Sequence, residues 1–199
     1  MSIYKEMLGE AFKQLHPMLQ KRYAGPVFKG KGTMSYIGGR PAILKPIFFI
    51  GTRWRFLFPE QGKDIPFQII NTNILGPNEE KQVYWERAFY FPKKTRYFNA
   101  LMSLDAEKGI VKDYLGDPSL FYSDLIFTVT EDGEMLINSD KQRLLIGKLE
   151  IPLPKLLQGN VTVKEAFLEE KDTYTIHVLI INPLFGRIFE YKGEFVADA

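Results

Sequence analysis

The sequence contains no cysteine, which excludes disulfides, thiolate metal sites and a cysteine nucleophile and fits a reducing compartment. Histidine is limited to His16 and His177. A two-histidine metal site would need a residue at a helix end to meet one on a late strand, and a capping His16 with a strand-face His177 accounts for both more simply. Long apolar runs are also missing. The longest, such as PIFFIG and VLIINPLFG, fall far short of the roughly 20 residues a spanning helix requires. Charge of one sign is missing too: 26 basic residues face 24 acidic ones, for a net charge of +2, so bulk electrostatics give no general reason to expect nucleic acid or an anionic membrane and leave room only for local patches. The opening MSIYKEMLGEAFKQ places acidic residues where a secretory signal needs a basic end and an unbroken apolar stretch. A cytoplasmic protein that does not span a membrane is expected.

Familiar catalytic signatures are absent. GPVFKGKGTMS approaches a phosphate loop, but Gly32 stands where Ser or Thr should hold magnesium, and a strand rather than a helix is expected to follow. There is no G-x-G-x-x-G and no G-x-S-x-G. RWRF and PKKTRYF interleave basic residues with rings as single-strand binders do, yet both are short and read as solvated strand ends. Asn160 begins an N-V-T acceptor, relevant only to a secreted chain. Thr173 and Thr175 share a strand face with His177, as alternation alone would place them. Glu60, Asp64, Glu86, Asp113 and Asp124 lie near aromatic clusters, so a hydrolase with a paired-carboxylate site stays open as a third functional reading. No cofactor or metal is implied.

What the chain has is rings: 14% of residues are aromatic, with 16 Phe and 10 Tyr, a composition suited to pleated surfaces and apolar cavities. Ile3, Met7, Leu8, Ala11, Phe12 and Leu15 recur at helical spacing, with Ser2 as a cap, and His16-Pro17 ends or kinks that helix. From Phe28 onward, short β-like runs alternate with turn segments such as GPNEE, AEKG and GDPS, and TEDGEM is the strongest two-residue hairpin signal. Phe48–Phe58, Gln82–Phe91 and Arg187–Val196 are among the predicted strands. The expectation is one domain over residues 1–199, with a helical segment at 1–24 and an antiparallel β region at 28–197.

Strand alternation gives this region its interest. On Phe48–Phe58 it sets Trp54 and Phe56 opposite Arg53 and Arg55. On Gln82–Phe91 it puts Val83, Trp85, Arg87, Phe89 and Phe91 on one side. Arg87 is the anomaly, because a guanidinium cannot shed its charge and needs a carboxylate, carbonyls or a ligand anion. Glu60, Asp64 and Asp113 are candidate partners. Arg87 either belongs to the fold, as an ion pair or a stack on Trp85, or meets the acidic end of an apolar ligand.

The ordered phrases LGEAFKQLHPMLQKRY, IGTRWRFLFPEQGKDIPFQI, YWERAFYFPKKTRYFNALM, VKDYLG, YSDL and INPLFGRIFEYKGEF resemble bacterial domain-of-unknown-function family 4166 from about Ile3 to Val196. The resemblance implies a bacterial domain with no established activity and no catalytic residues to carry over. The fold expected from the residues is mainly β, an antiparallel meander forming a barrel or half-barrel with an N-terminal α-helix. The leading functional reading is binding of a hydrophobic or amphipathic, lipid-like small molecule in an aromatic-lined cavity. Trp54, Phe56, Trp85, Phe89, Phe98 and Phe127 would line it, and Arg87 would meet an acidic group. The same rings can equally make a filled core. The alternative is a non-catalytic interaction or accessory domain that docks on a protein partner.

Overall fold

A computed structural model describes residues 2–39, 41–147 and 149–198. Helices α1 (Ile3–Leu8), α2 (Pro17–Ala24) and α3 (Lys45–Gly51) accompany strands β1 (Val27–Gly38), β2 (Ile65–Leu75), β3 (Lys81–Phe91), β4 (Lys94–Tyr97), β5 (Ala100–Asp105) and β6 (Ile110–Gly116). Strands β7 (Ser119–Val129), β8 (Met135–Ile146), β9 (Leu149–Pro152), β10 (Asn160–Leu168), β11 (Thr173–Asn182) and β12 (Gly186–Ala197) follow. Neighbours pair antiparallel, and one ring is completed by two pairings out of chain order: β12 bonds back to β1, and β8 bonds to β10. Ten strands form the closed barrel, while β4 extends the β3 hairpin and β9 extends β8. Closure satisfies backbone groups that an open meander would leave at its edges.

The two-residue period positions the core. On β11, Tyr174, Ile176, Val178 and Ile180 are buried, while Thr175, His177 and Leu179 between them are not. On β3, Val83, Trp85, Arg87 and Phe89 point inward as their alternation predicts. Gly32, the residue that spoiled the phosphate loop, lies on β1 where β12 passes closely: a Cβ there would meet the Glu194 carbonyl oxygen at 2.0 Å.

Antiparallel order gathers the ends of β1, β3, β6, β8 and β11 at one rim, the mouth, and their starts at the other, the base. The N-terminal segment plugs the base, burying Ile3, Tyr4, Phe12, Leu15, Leu19 and Tyr23. The helix predicted through Leu15 is interrupted: α1 stops at Gly9, whose φ is 52°, and a 3-10 turn runs over Gly9–Gln14. Ser2 supplies no side-chain cap. His16 caps α2, its Nδ1 accepting from the Met18 amide at 3.2 Å, with Pro17 in the first turn where a missing N–H costs nothing.

The strand predicted over Phe48–Phe58 is not formed. The long β1–β2 connection instead carries α3 and a 3-10 turn, Thr52–Trp54, across the mouth. Pro46 lies in the first turn of α3, a helix-starting position, and a short apolar run does not by itself separate strand from helix. Arg55, at φ 49°, reverses the chain after this turn.

Candidate functional site at the barrel mouth

The barrel interior is filled. Phe89 lies 5.1 Å, centroid to centroid, from each of Phe58, Phe67 and Tyr191, and Phe98 lies 5.7 Å from Phe189. Lower down, the Trp85 indole N–H donates to the Tyr4 hydroxyl at 2.7 Å, and Tyr4 packs 5.6 Å from Phe127. A cavity of about 20 Å³ remains beside Trp85, Arg87, Phe98 and Asp113; this is room for about one water molecule.

Arg87 is 4% exposed and its hydrogen bonds are internal. Nε donates to the Phe98 carbonyl at 2.7 Å and Nη1 to the Tyr191 hydroxyl at 3.0 Å, while the guanidinium lies 4.2 Å from the Phe98 ring centroid and 5.4 Å from that of Trp85. Of the three candidate carboxylates, Asp113 on β6 is the one that shares the interior with it, bordering the same small cavity. Burial pushes the Asp113 carboxyl up to about 6, and the Arg87 charge opposes that rise. Asp113 Oδ1 has no hydrogen-bond partner among the described residues. Glu60 instead takes two bonds from Arg96, at 2.7 and 2.8 Å, and an ion pair from Lys94. Burial works against the Glu60 anion, but these cations outweigh it and hold the carboxyl below its usual range. Asp124 pairs with Arg143. The described residues hold no group of three or more His, Asp or Glu placed to bind a metal ion.

Trp85, Arg87, Phe89 and Phe127 thus share the interior with Phe98, which occupies the corner between β4 and β5. Trp54 and Phe56 lie elsewhere, in the β1–β2 connection over the mouth. Backbone bonds hold that connection to the barrel: Asp117 N–H donates to the Trp54 carbonyl at 2.6 Å and Asn99 N–H to the Arg55 carbonyl at 2.8 Å. Gly116 allows the first contact, since a Cβ there would approach the Trp54 carbonyl oxygen to 2.8 Å, and its φ is +91°.

Two apolar cavities adjoin beneath this connection. One, of about 140 Å³, lies between Phe56, Leu57 and Phe121 on one side and Leu157, Val161 and Ile188 on the other. The second, also about 140 Å³, runs from the same Phe56, Leu57 and Phe121 to Ile47, Ile50 and Trp54. The first exists because the barrel seam splits at the mouth: β8 pairs with β10 near the base but with β9 near the mouth. Residues 153–159 bridge the split, held by Gln142, which accepts from Gly159 N–H at 2.8 Å and donates to its carbonyl at 2.6 Å. Strand patterning had singled out Phe56 and Trp54. Leu157, Phe121 and Ile188 carried no comparable signal, because their convergence depends on where the seam opens.

A buried ion pair at the base also escaped the sequence. Arg22 of α2 donates to both Glu165 oxygens, at 2.9 and 3.0 Å, and both side chains are 0% exposed. The Tyr23 hydroxyl donates to the same carboxylate, and burial raises its pKa well above the ordinary tyrosine value. Rings of Phe28 and Phe195 lie 4.8 and 5.0 Å from the guanidinium.

Comparison with known proteins follows the fold closely. The chain is 41% identical over 197 residues to a curated protein of Bacillus subtilis (strain 168) named "Uncharacterized protein YndH", covering 98% of this chain and 96% of that one. A family model described as Domain of unknown function (DUF4166) matches residues 15–195, from just before α2 of the base plug to the last barrel strand. The chain therefore belongs to the DUF4166 family.

Proposed function

We propose that the whole chain acts as one non-catalytic, cytoplasmic binding unit for an amphipathic, lipid-like molecule, held in the mouth cleft and not in the barrel interior. The pair of adjoining cavities around Phe56, Leu57 and Phe121 carries this reading. Together they approach the roughly 300 Å³ at which small-molecule sites begin, and their walls are almost wholly apolar. Trp54 and Phe56 keep the lining role anticipated for them. Trp85, Phe89, Phe98 and Phe127 pack the core, and Arg87 serves that core. An acidic head group would leave the cleft near Arg53 and Lys155, both exposed at the rim. The hydrolase reading finds little support, since Glu60 and Asp124 are each engaged by arginine and Asp113 is sealed inside.

Titration with a dansyl-labelled fatty acid tests the proposal. The wild type gives saturable, competable fluorescence, and Ile188→Trp, which fills the cleft from β12, weakens binding on the order of tenfold, about 1.4 kcal/mol. Undiminished binding by Ile188→Trp, or no saturation by the wild type, contradicts it. The second reading, an accessory domain docking on a protein, draws on the exposed apolar side chains around the same mouth.

A further inference from the structure

We propose that the mouth of the barrel docks peripherally on an anionic lipid bilayer. The proposal rests on the cleft reading and extends it by naming the source of the ligand; two observations carry it, an apolar rim that shares Ile47 and Leu157 with the cleft walls and a charge division that does not involve the cleft.

The first is an apolar rim. On α3, Phe48 turns inward while Ile47 and Phe49, 63% and 66% exposed, face solvent. Leu157, 59% exposed, and Leu184 stand on neighbouring connections, which Asn182 ties together by donating to the Leu156 and Gln158 carbonyls at 2.9 and 2.8 Å. The second is a division of charge between the two ends. The connections at the base, residues 76–80, 106–109, 130–134 and 169–172, contain nine acidic and two basic residues. Those at the mouth, counted over the described residues 39, 41–64, 92–99, 117–118, 147, 149–159 and 183–185, contain eight basic and four acidic. Three of those four are engaged: Glu60 by Arg96, Asp117 by Arg55 and Glu150 by Tyr122. Lys45, Arg53, Lys93 and Lys155 make no ion pair with another described residue, and all four are exposed. Exposed apolar side chains at the base, such as Leu75, stand instead among carboxylates.

Insertable apolar groups ringed by unpaired cations match the interface of a bilayer carrying anionic lipid, which repels the acidic base and so sets the orientation. Each cation close to such a surface is worth roughly fivefold in partition at low salt, and screening removes that gain. The net charge of +2 conceals this polarity.

Sedimentation with vesicles tests the proposal, using phosphatidylcholine alone and phosphatidylcholine mixed in equal parts with phosphatidylglycerol. The wild type binds the mixed vesicles, is released by high salt, and shows a blue shift of Trp54 emission on binding. Arg53→Glu with Lys155→Glu abolishes binding, as does Ile47→Asp with Phe49→Asp; all four positions are exposed, so these variants stay folded by circular dichroism. Ile188→Trp, which weakens binding of the soluble probe, still binds vesicles. Equal binding to both vesicle types, binding to neither, or retention by Ile47→Asp with Phe49→Asp overturns docking, even where the cleft still takes the probe. A concentration-dependent dimer that Ile47→Asp with Phe49→Asp abolishes would also overturn it and assign the face to a second copy.

Discussion

Arg87 and Asp113 illustrate how far single residues can be read. Alternation along β3 places a permanent charge among Trp85 and Phe89 without any coordinates, and the structure keeps it there, 4% exposed. Its partners were not legible, because Asp113 and Tyr191 arrive from other strands and Phe98 from the β4–β5 corner, and the register between strands is not written in the alternation of one. Because burial raises the folded Asp113 carboxyl to about 6, the unfolded chain gives up that proton at lower pH. This part of the stability is therefore full below about pH 4 and declines as pH rises toward 6. Asp113→Asn should flatten that slope in urea-unfolding midpoints and stabilise the protein at pH 7 by at most about 3 kcal/mol. Arg87→Ala leaves Asp113 buried without its cation and should cost about 3 kcal/mol or more, part of which Asp113→Asn restores in a double-mutant cycle. An unchanged melting temperature with lost ligand binding would instead make Arg87 an anchor for ligand.

Among elements, strands with a clean two-residue period, such as β3 and β11, follow from their sequence, since each has one dry face. The β1–β2 connection does not. KPIFFIG is too short and too uniformly apolar to show its own period, and whether it becomes strand or helix is settled by Pro46 and by its place over the mouth. The base plug is similar. Local spacing shows helix, but the function of α2 lies in Arg22 reaching Glu165, 143 positions away on β10. Glu165→Gln keeps the shape and removes the charge, stranding a fully buried guanidinium. Equilibrium unfolding should show a loss of about 3 kcal/mol, within the range for breaking a buried pair. A neutral result would mean that α2 does not seat in the base.

For the whole molecule, a turn-punctuated β text implied a barrel or half-barrel, and pairing of β8 with β10 and of β12 with β1 decides for closure. That closure leaves the interior packed with rings and moves the usable space to the mouth, where the seam parts between β9 and β10. The aromatic richness legible in the composition is thus mostly core, and the cleft depends on connections whose geometry local sequence does not encode. Two tryptophans separate these places: Trp54 borders the cleft and Trp85 sits in the core against Tyr4. Titration of wild type and Trp54→Phe with a brominated fatty acid, which quenches indole on contact, reads the ligand's position directly. The account predicts quenching in the wild type and none in a Trp54→Phe protein that still binds the dansyl probe. Full quenching of the remaining Trp85 would place the ligand inside the barrel and contradict it.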